Sequence, residues 1–155
     1  MEAIVASGTA DVVAVCDSAP DAVTRALAAA PGATAVSSLD AVLGMGVDGV
    51  VLATPSALHA SQAVHALERG AAVFCQKPLA RTAAETRQVV DAARRADRLL
   101  GVDLSYRHTD GMRRIRELVR AGELGDVFAV DLVFHNAYGP DKPWLFDPVL
   151  WGVAA

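Results

Sequence analysis

Cysteine, aromatic residues and long uncharged runs are all scarce in this chain of 155 residues, and each scarcity removes a class of protein. Cys16 and Cys75 are the only cysteines, too few for a disulfide framework or a cysteine-based metal site. Each ends an apolar run, so both are expected to be buried free thiols. The four histidines, His59, His65, His108 and His135, are scattered, with no pair at ligand spacing on one helix, and no metal site is expected. Basic charge is not in excess: 14 Lys and Arg stand against 18 Asp and Glu, for a net charge of −4. Such a chain offers no field for a nucleic-acid backbone, and the cluster Arg113, Arg114, Arg116 and Arg120 reads as a solvated helix face. The longest uncharged run, residues 49–67, is broken by Pro55 and carries Ser56, His59, Ser61, Gln62 and His65, so no membrane span is expected. Met1-Glu2 lacks the basic start of a secretion signal. The expected location is the cytoplasm.

With 53% hydrophobic and 21% charged residues, the chain is able to bury a core. Val12-Val13-Ala14-Val15-Cys16 reads as a strand, followed by capping residues and a helix over about 21–30 that Pro31-Gly32 stops. Thr34-Ala35-Val36 predicts a short strand, residues 38–43 a short helix, and residues 49–53 a buried strand. Residues 56–69 read as a helix with Leu58, Ser61, Val64 and Leu67 at helical spacing and Gly70 just past its end. Residues 71–75 form the next strand. Thr82-Ala83-Ala84-Glu85 is a capping box opening a helix to about Asp97, and residues 99–104 a further strand. Alternating strands and helices of this kind predict an α/β fold with an open parallel sheet. After Leu104 the pattern changes. Residues 110–121 read as an amphipathic helix with Met112, Ile115, Leu118 and Val119 on one face. Residues 127–136 alternate, as suits a strand with one wet face in a second, α+β domain.

The most informative stretch is Val73-Phe74-Cys75-Gln76-Lys77-Pro78-Leu79. An all-apolar strand belongs to a sheet covered on both faces, and ligands bind at the carboxyl ends of such strands. Lys77 closes that strand, and its ammonium could steady a substrate oxygen that gains negative charge. A plain solvated lysine at a strand terminus is the alternative. Asp17 ends a strand beside a helix start, where a carboxylate either accepts hydrogen bonds from an adenosine ribose or caps the helix. Thr54-Pro55-Ser56-Ala57-Leu58-His59 bridges another strand end and helix start, and serves equally as cofactor contact or as helix-start chemistry. Tyr106-Arg107 follows the last strand of the parallel set, at the junction between the domains. The match Gly44-Met45-Gly46-Val47-Asp48-Gly49 to a G-x-G-x-x-G pattern follows a helix and leads into a strand. A phosphate loop requires the reverse order, so these glycines are read as a helix stop and a turn.

Taken in order, Val-Ala-Val-Cys-Asp ending at Asp17, Ala53-Thr54-Pro55 with His59, and Cys75-Gln76-Lys77-Pro78-Leu79 resemble the Gfo/Idh/MocA family of NAD(P)-dependent oxidoreductases. Tyr106-Arg107 and residues 118–127 are similar to that family's passage into its second domain. The resemblance implies that Asp17 binds the adenosine ribose, with NAD favoured over NADP. It implies that Thr54, Pro55, His59 and Gln76 lie along the cofactor, that Lys77 orients the substrate, and that Tyr106 and Arg107 border it. The implied reaction moves a hydride between the nicotinamide and a sugar, polyol or related alcohol, a small-molecule substrate.

Three departures accompany the resemblance. Gln76 stands where the family usually has Glu, which keeps hydrogen bonding but removes a charge that would favour the ammonium. The family's first strand and glycine-rich loop are not found, residues 1–8 resembling only the helix that follows them. Its Asp and catalytic His, which follow a glycine-rich stretch, are not found either. The expected architecture is therefore an incomplete Rossmann-like parallel sheet over residues 1–104 and the start of a substrate or oligomerisation domain over residues 105–155. The strands before Asp17 and before Thr54 should either close the gap or leave apolar edges exposed, the latter favouring self-association. On this reading the isolated chain has little turnover; the alternatives are an inactive remnant that binds nucleotide or partners, and a truncated reading of a longer gene.

Overall fold

A computed structural model describes residues 2–133 and Val149. The order of elements is α1 (Glu2–Ser7), β1 (Ala14–Val15), α2 (Pro20–Ala29), β2 (Thr34–Ala35), α3 (Leu39–Gly44), β3 (Gly49–Leu52), α4 (Ser56–Glu68), β4 (Ala72–Cys75), α5 (Ala83–Ala96) and β5 (Leu100–Val102). A 3₁₀ turn (Ser105–His108) and α6 (Asp110–Arg120) follow. All strand pairs are parallel, so the expected α/β class is the one observed.

The strands form two sheets, β1–β2 and β3–β4–β5, and β1 does not pair with β3. The gap expected between the strands before Asp17 and Thr54 is thus open. Strand β1 is shorter than the apolar run 12–16 because a strand extends only as far as its partner, and β2 offers two residues. Beyond that pairing Cys16 is exposed, which corrects the expectation of two buried thiols: once β1 has ended, no described residue covers residue 16. Cys75, paired with Leu52 on one side and Val102 on the other, is fully buried. Burial pushes its thiol pKa up to about 11.

The core lies on one face of β3–β4–β5. Leu52, Val73 and Cys75 meet Ala63, Ala66 and Leu67 of α4 and Val89, Ala92 and Ala93 of α5 in one cluster. The buried stripe of α4 is Ser56, His59, Ala63, Ala66 and Leu67, and not the series Leu58, Ser61, Val64 and Leu67. A strict three-residue repeat drifts around a helix of 3.6 residues per turn, so only the end of that series stays on the buried face. Small alanines at the contact let α4 and α5 approach closely. The opposite face of the sheet is open, with Val51 55% and Phe74 47% exposed. There Gly101 makes room for the Phe74 ring, since a Cβ would stand 2.8 Å from Phe74 Cδ2.

Local signals behave as the chemistry predicts. Gly70 takes φ +87° past α4, the left-handed turn that glycine tolerates. Thr82 Oγ1 accepts the Glu85 N–H at 3.1 Å, the first half of the capping box. The other half shifts by one residue: the Glu85 carboxylate accepts the Arg81 N–H at 2.9 Å and the Arg81 guanidinium at 3.0 Å. That guanidinium bond is the main reason the Glu85 pKa is lowered. Gly44 ends α3 and Gly49 opens β3, so the glycine triplet leads from helix to strand and opens no helix.

The later elements are less covered. Helix α6 forms as expected, yet none of its residues is buried. Residues 127–133 form no strand, and Phe128 is 98% exposed. A strand needs a partner for its backbone and a core for its apolar face, and no described residue supplies either to this segment. Residues 134–136, which complete the expected strand, and residues 151–152 lie outside the described part. No helix among the described residues is long and apolar enough to cross a membrane.

Candidate functional site

The parallel register sets three strand ends side by side. Leu52 pairs with Cys75, and Cys75 with Val102. The ladder runs one residue further, with Gln76 N–H donating to Leu52 O at 2.8 Å and Asp103 N–H donating to Cys75 O at 2.9 Å. Everything that follows these strands, Thr54 after β3, Gln76-Lys77-Pro78 after β4 and Asp103 to Arg107 after β5, therefore leaves from the carboxyl edge.

Side-chain hydrogen bonds fix these segments. His59, 1% exposed in the first turn of α4, holds two of them: Nε2 is 2.7 Å from Thr54 O and Nδ1 is 2.7 Å from Pro78 O. Both partners are carbonyl acceptors, and a neutral imidazole has one N–H to give them. His59 thus spans the loops after β3 and β4 rather than facing open space. The Thr54 hydroxyl donates to Gln62 Oε1 at 2.6 Å, which leaves only the lone pairs of its oxygen for a ligand. Pro55 stands at the N-cap of α4 without a side-chain bond. On the β5 side, Gln76 Nε2 donates to Asp103 Oδ2 at 2.8 Å, and Gln76 Oε1 accepts the Lys77 N–H at 2.9 Å.

Lys77 itself is exposed, its peptide bond to Pro78 is cis, and among the described residues its ammonium makes no hydrogen bond or ion pair. Tyr106 and Arg107 lie in the exposed 3₁₀ turn after β5. Asp17 follows β1, in the other sheet. Its Oδ1 accepts the Ala19 N–H at 2.8 Å in the turn before α2, and Ala19, not Asp17, is the N-cap of that helix, which has no side-chain cap bond; the second carboxylate oxygen is open to a ligand.

Gln62 and Asp103 join the site although neither belongs to the motifs that point to it. Each has a signal. Gln62 stands two helical turns beyond Thr54, and Asp103 is the one charge inside the apolar run 99–104. Their partners are visible only once the strands are in register.

Residues 1–104 match the family described as oxidoreductase family, NAD-binding Rossmann fold (GFO_IDH_MocA). The chain is 32% identical to inositol 2-dehydrogenase 3 of Saccharopolyspora erythraea over 85% of its length and 39% of that protein's. It is 38% identical to dTDP-3,4-didehydro-2,6-dideoxy-alpha-D-glucose 3-reductase of Streptomyces violaceoruber, over 71% of this chain and 32% of that one. Among solved structures, the WlbA dehydrogenase of Bordetella pertussis in complex with NADH and UDP-GlcNAcA superposes with a TM-score of 0.71. It shares 33% identity over 77% of this chain and 34% of that one. A second, the 3-ketoreductase KijD10 of Actinomadura kijaniata with NADP and TDP-benzene, gives a TM-score of 0.67 at 25% identity, over 76% of this chain and 36% of that one. The chain thus spans less than two fifths of the length of each of these relatives. With its family match ending at residue 104, where the parallel sheet has just ended, this chain belongs to the Gfo/Idh/MocA oxidoreductases, whose fold is the NAD(P)-binding Rossmann fold.

Proposed function

We propose that this chain forms the lysine-bearing edge of an NAD(P)-dependent dehydrogenase or reductase acting on a sugar, polyol or related alcohol. The observation that carries this reading is Lys77: its backbone neighbours are tied on both sides, and its ammonium is exposed with no partner among the described residues. A cation held in this way can donate to a substrate hydroxyl or carbonyl and stabilise the oxygen as charge builds on it. The residues present suit a dinucleotide along this edge. Asp17, after β1 in the other sheet, keeps a carboxylate oxygen open to ribose hydroxyls, Thr54 keeps an acceptor oxygen, and Pro55 and His59 shape the loop after β3. The nicotinamide, when bound, takes or gives the hydride. Gln76 fixes the lysine, and Tyr106 and Arg107 border the substrate from the turn after β5. Residues 1–104 act as the dinucleotide-binding unit and residues 105–155 open the substrate domain.

The finer cofactor reading is NAD, because the Asp17 carboxylate would repel a 2′-phosphate. Calorimetry of the chain with NAD and with NADP should show tighter binding of NAD, and Asp17→Ala should narrow the difference. Absence of binding by either nucleotide overturns the cofactor reading. In the protein that carries this chain, Lys77→Met should lower kcat by about a hundredfold or more while NAD affinity is kept; an unchanged kcat would remove Lys77 from the reaction. The unpaired thiols of Cys16 and Cys75 accord with the reducing cytoplasm. The open face at Val51 and Phe74 and the unpaired flanks of β1 and β3 favour self-association. Light scattering should give more than the monomer mass, and a clean monomer with a cooperative melt would count against it.

A further inference from the structure

Gln76 and Asp103 are the first residues beyond two paired strands, and a carboxamide meets a carboxylate there at 2.8 Å. A carboxylate only accepts hydrogen bonds, so it decides which end of the carboxamide turns toward β5: the NH₂ faces Asp103 and the oxygen is left on the other side. That oxygen accepts the backbone N–H of Lys77 at 2.9 Å. Donation to a charged acceptor also polarises the amide and makes its oxygen the stronger acceptor. Gln76 and Asp103 are both half-buried, whereas Lys77 is exposed. The backbone of Lys77 is thereby held from the β5 side, and the next carbonyl, that of Pro78, lies 2.7 Å from His59 Nδ1 on the α4 side.

We propose that Asp103 is the positioning residue of this site: through Gln76 it fixes the backbone of Lys77, and it supplies the negative charge of the strand edge from β5. The proposal rests on the reading of Lys77 as the substrate-facing cation, but its physical content is the chain Asp103, Gln76, Lys77. A neutral acceptor at position 103 keeps the geometry and loses the charge. An alanine loses both. A carboxylate at position 76 facing Asp103 sets two like charges at hydrogen-bond distance. An amide at position 103 then repairs the pair in the opposite sense: that amide donates, and the carboxylate at position 76 accepts from both sides.

Amide hydrogen exchange by NMR on the whole chain tests this, with Val73 and Val89 in the core as reporters of folding. Asp103→Ala should speed exchange of the Lys77 amide at least about tenfold while those core amides keep their rates. Gln76→Glu should do the same, and the double variant Gln76→Glu with Asp103→Asn should return the Lys77 amide to within about threefold of the original rate. An unchanged Lys77 amide in Asp103→Ala overturns the proposal, as does a double variant as fast as Gln76→Glu alone. Should Asp103→Ala not fold, the single and double variants at residue 76 decide by themselves. Exchange needs no ligand, so the clamp stands or falls apart from the kcat and calorimetric tests of the site's function.

Discussion

Helices α4 and α6 differ in a way that their sequences alone would reverse. Helix α6 carries a regular apolar stripe, with Met112, Ile115 and Val119 on one side and arginines on the other, and buries none of them. Helix α4 mixes His59, Ser56 and alanines into its inner face and buries five residues. Amphipathic spacing states which side of a helix would be inside; it does not supply the surface that covers it. Helix α4 lies against β3, β4 and α5, so even a histidine and a serine are buried there with hydrogen bonds or small volume. Helix α6 touches chiefly the 3₁₀ turn before it.

Truncation separates the two helices most sharply. Leu67→Ala, at a site with no exposure, should cost about 2–5 kcal/mol in a urea melt because it removes apolar burial and leaves a cavity in the core cluster that also holds Val73 and Val89. Ile115→Ala on α6, where the side chain is 50% exposed, should cost less than about 1 kcal/mol. Similar losses at the two positions would mean that α6 is covered after all.

Alkaline pH gives a second test of what is covered, through the buried Cys75 thiol. Below about pH 9 the Cys75 thiol keeps its proton in both folded and unfolded chains. Between about 9 and about 11 only the unfolded chain ionises it, so stability falls as pH rises through that window. The full loss is about 3 kcal/mol at most, since the thiol moves from 9.0 to about 11. Melts at about pH 8 and about pH 10.5, on either side of the onset, should show it, and Cys75→Ala should remove this part of the pH dependence. A profile indifferent to Cys75→Ala would mean that the thiol is not shielded.

The site shows the same division between what a sequence carries and what contact adds. Lys77 is legible because an apolar run of β-branched and aromatic residues ending in Gln-Lys-Pro reads as a strand end, and parallel sheets bind at that edge. The helix punctuation at Thr82, Gly70 and Pro20 is legible for the same local reason, since caps and turns depend on residues within a few positions. Asp103 and Gln62 are not, because each acts on a partner 27 or 8 residues away. The strand expected over residues 127–136 fails in its described part for a related cause: alternation is a property of the segment, but pairing is a property of two.

The sequence by itself determined the order of strands and helices as far as residue 120, the strand end at Lys77 and the family to which the chain belongs, because these rest on periodicity, caps and ordered short motifs. Only the tertiary structure decided which apolar faces are covered, that Cys75 is buried and Cys16 is not, and that Asp103 reaches Lys77 through Gln76. Burial and hydrogen bonding between distant residues follow from register, and register exists only when the strands are assembled.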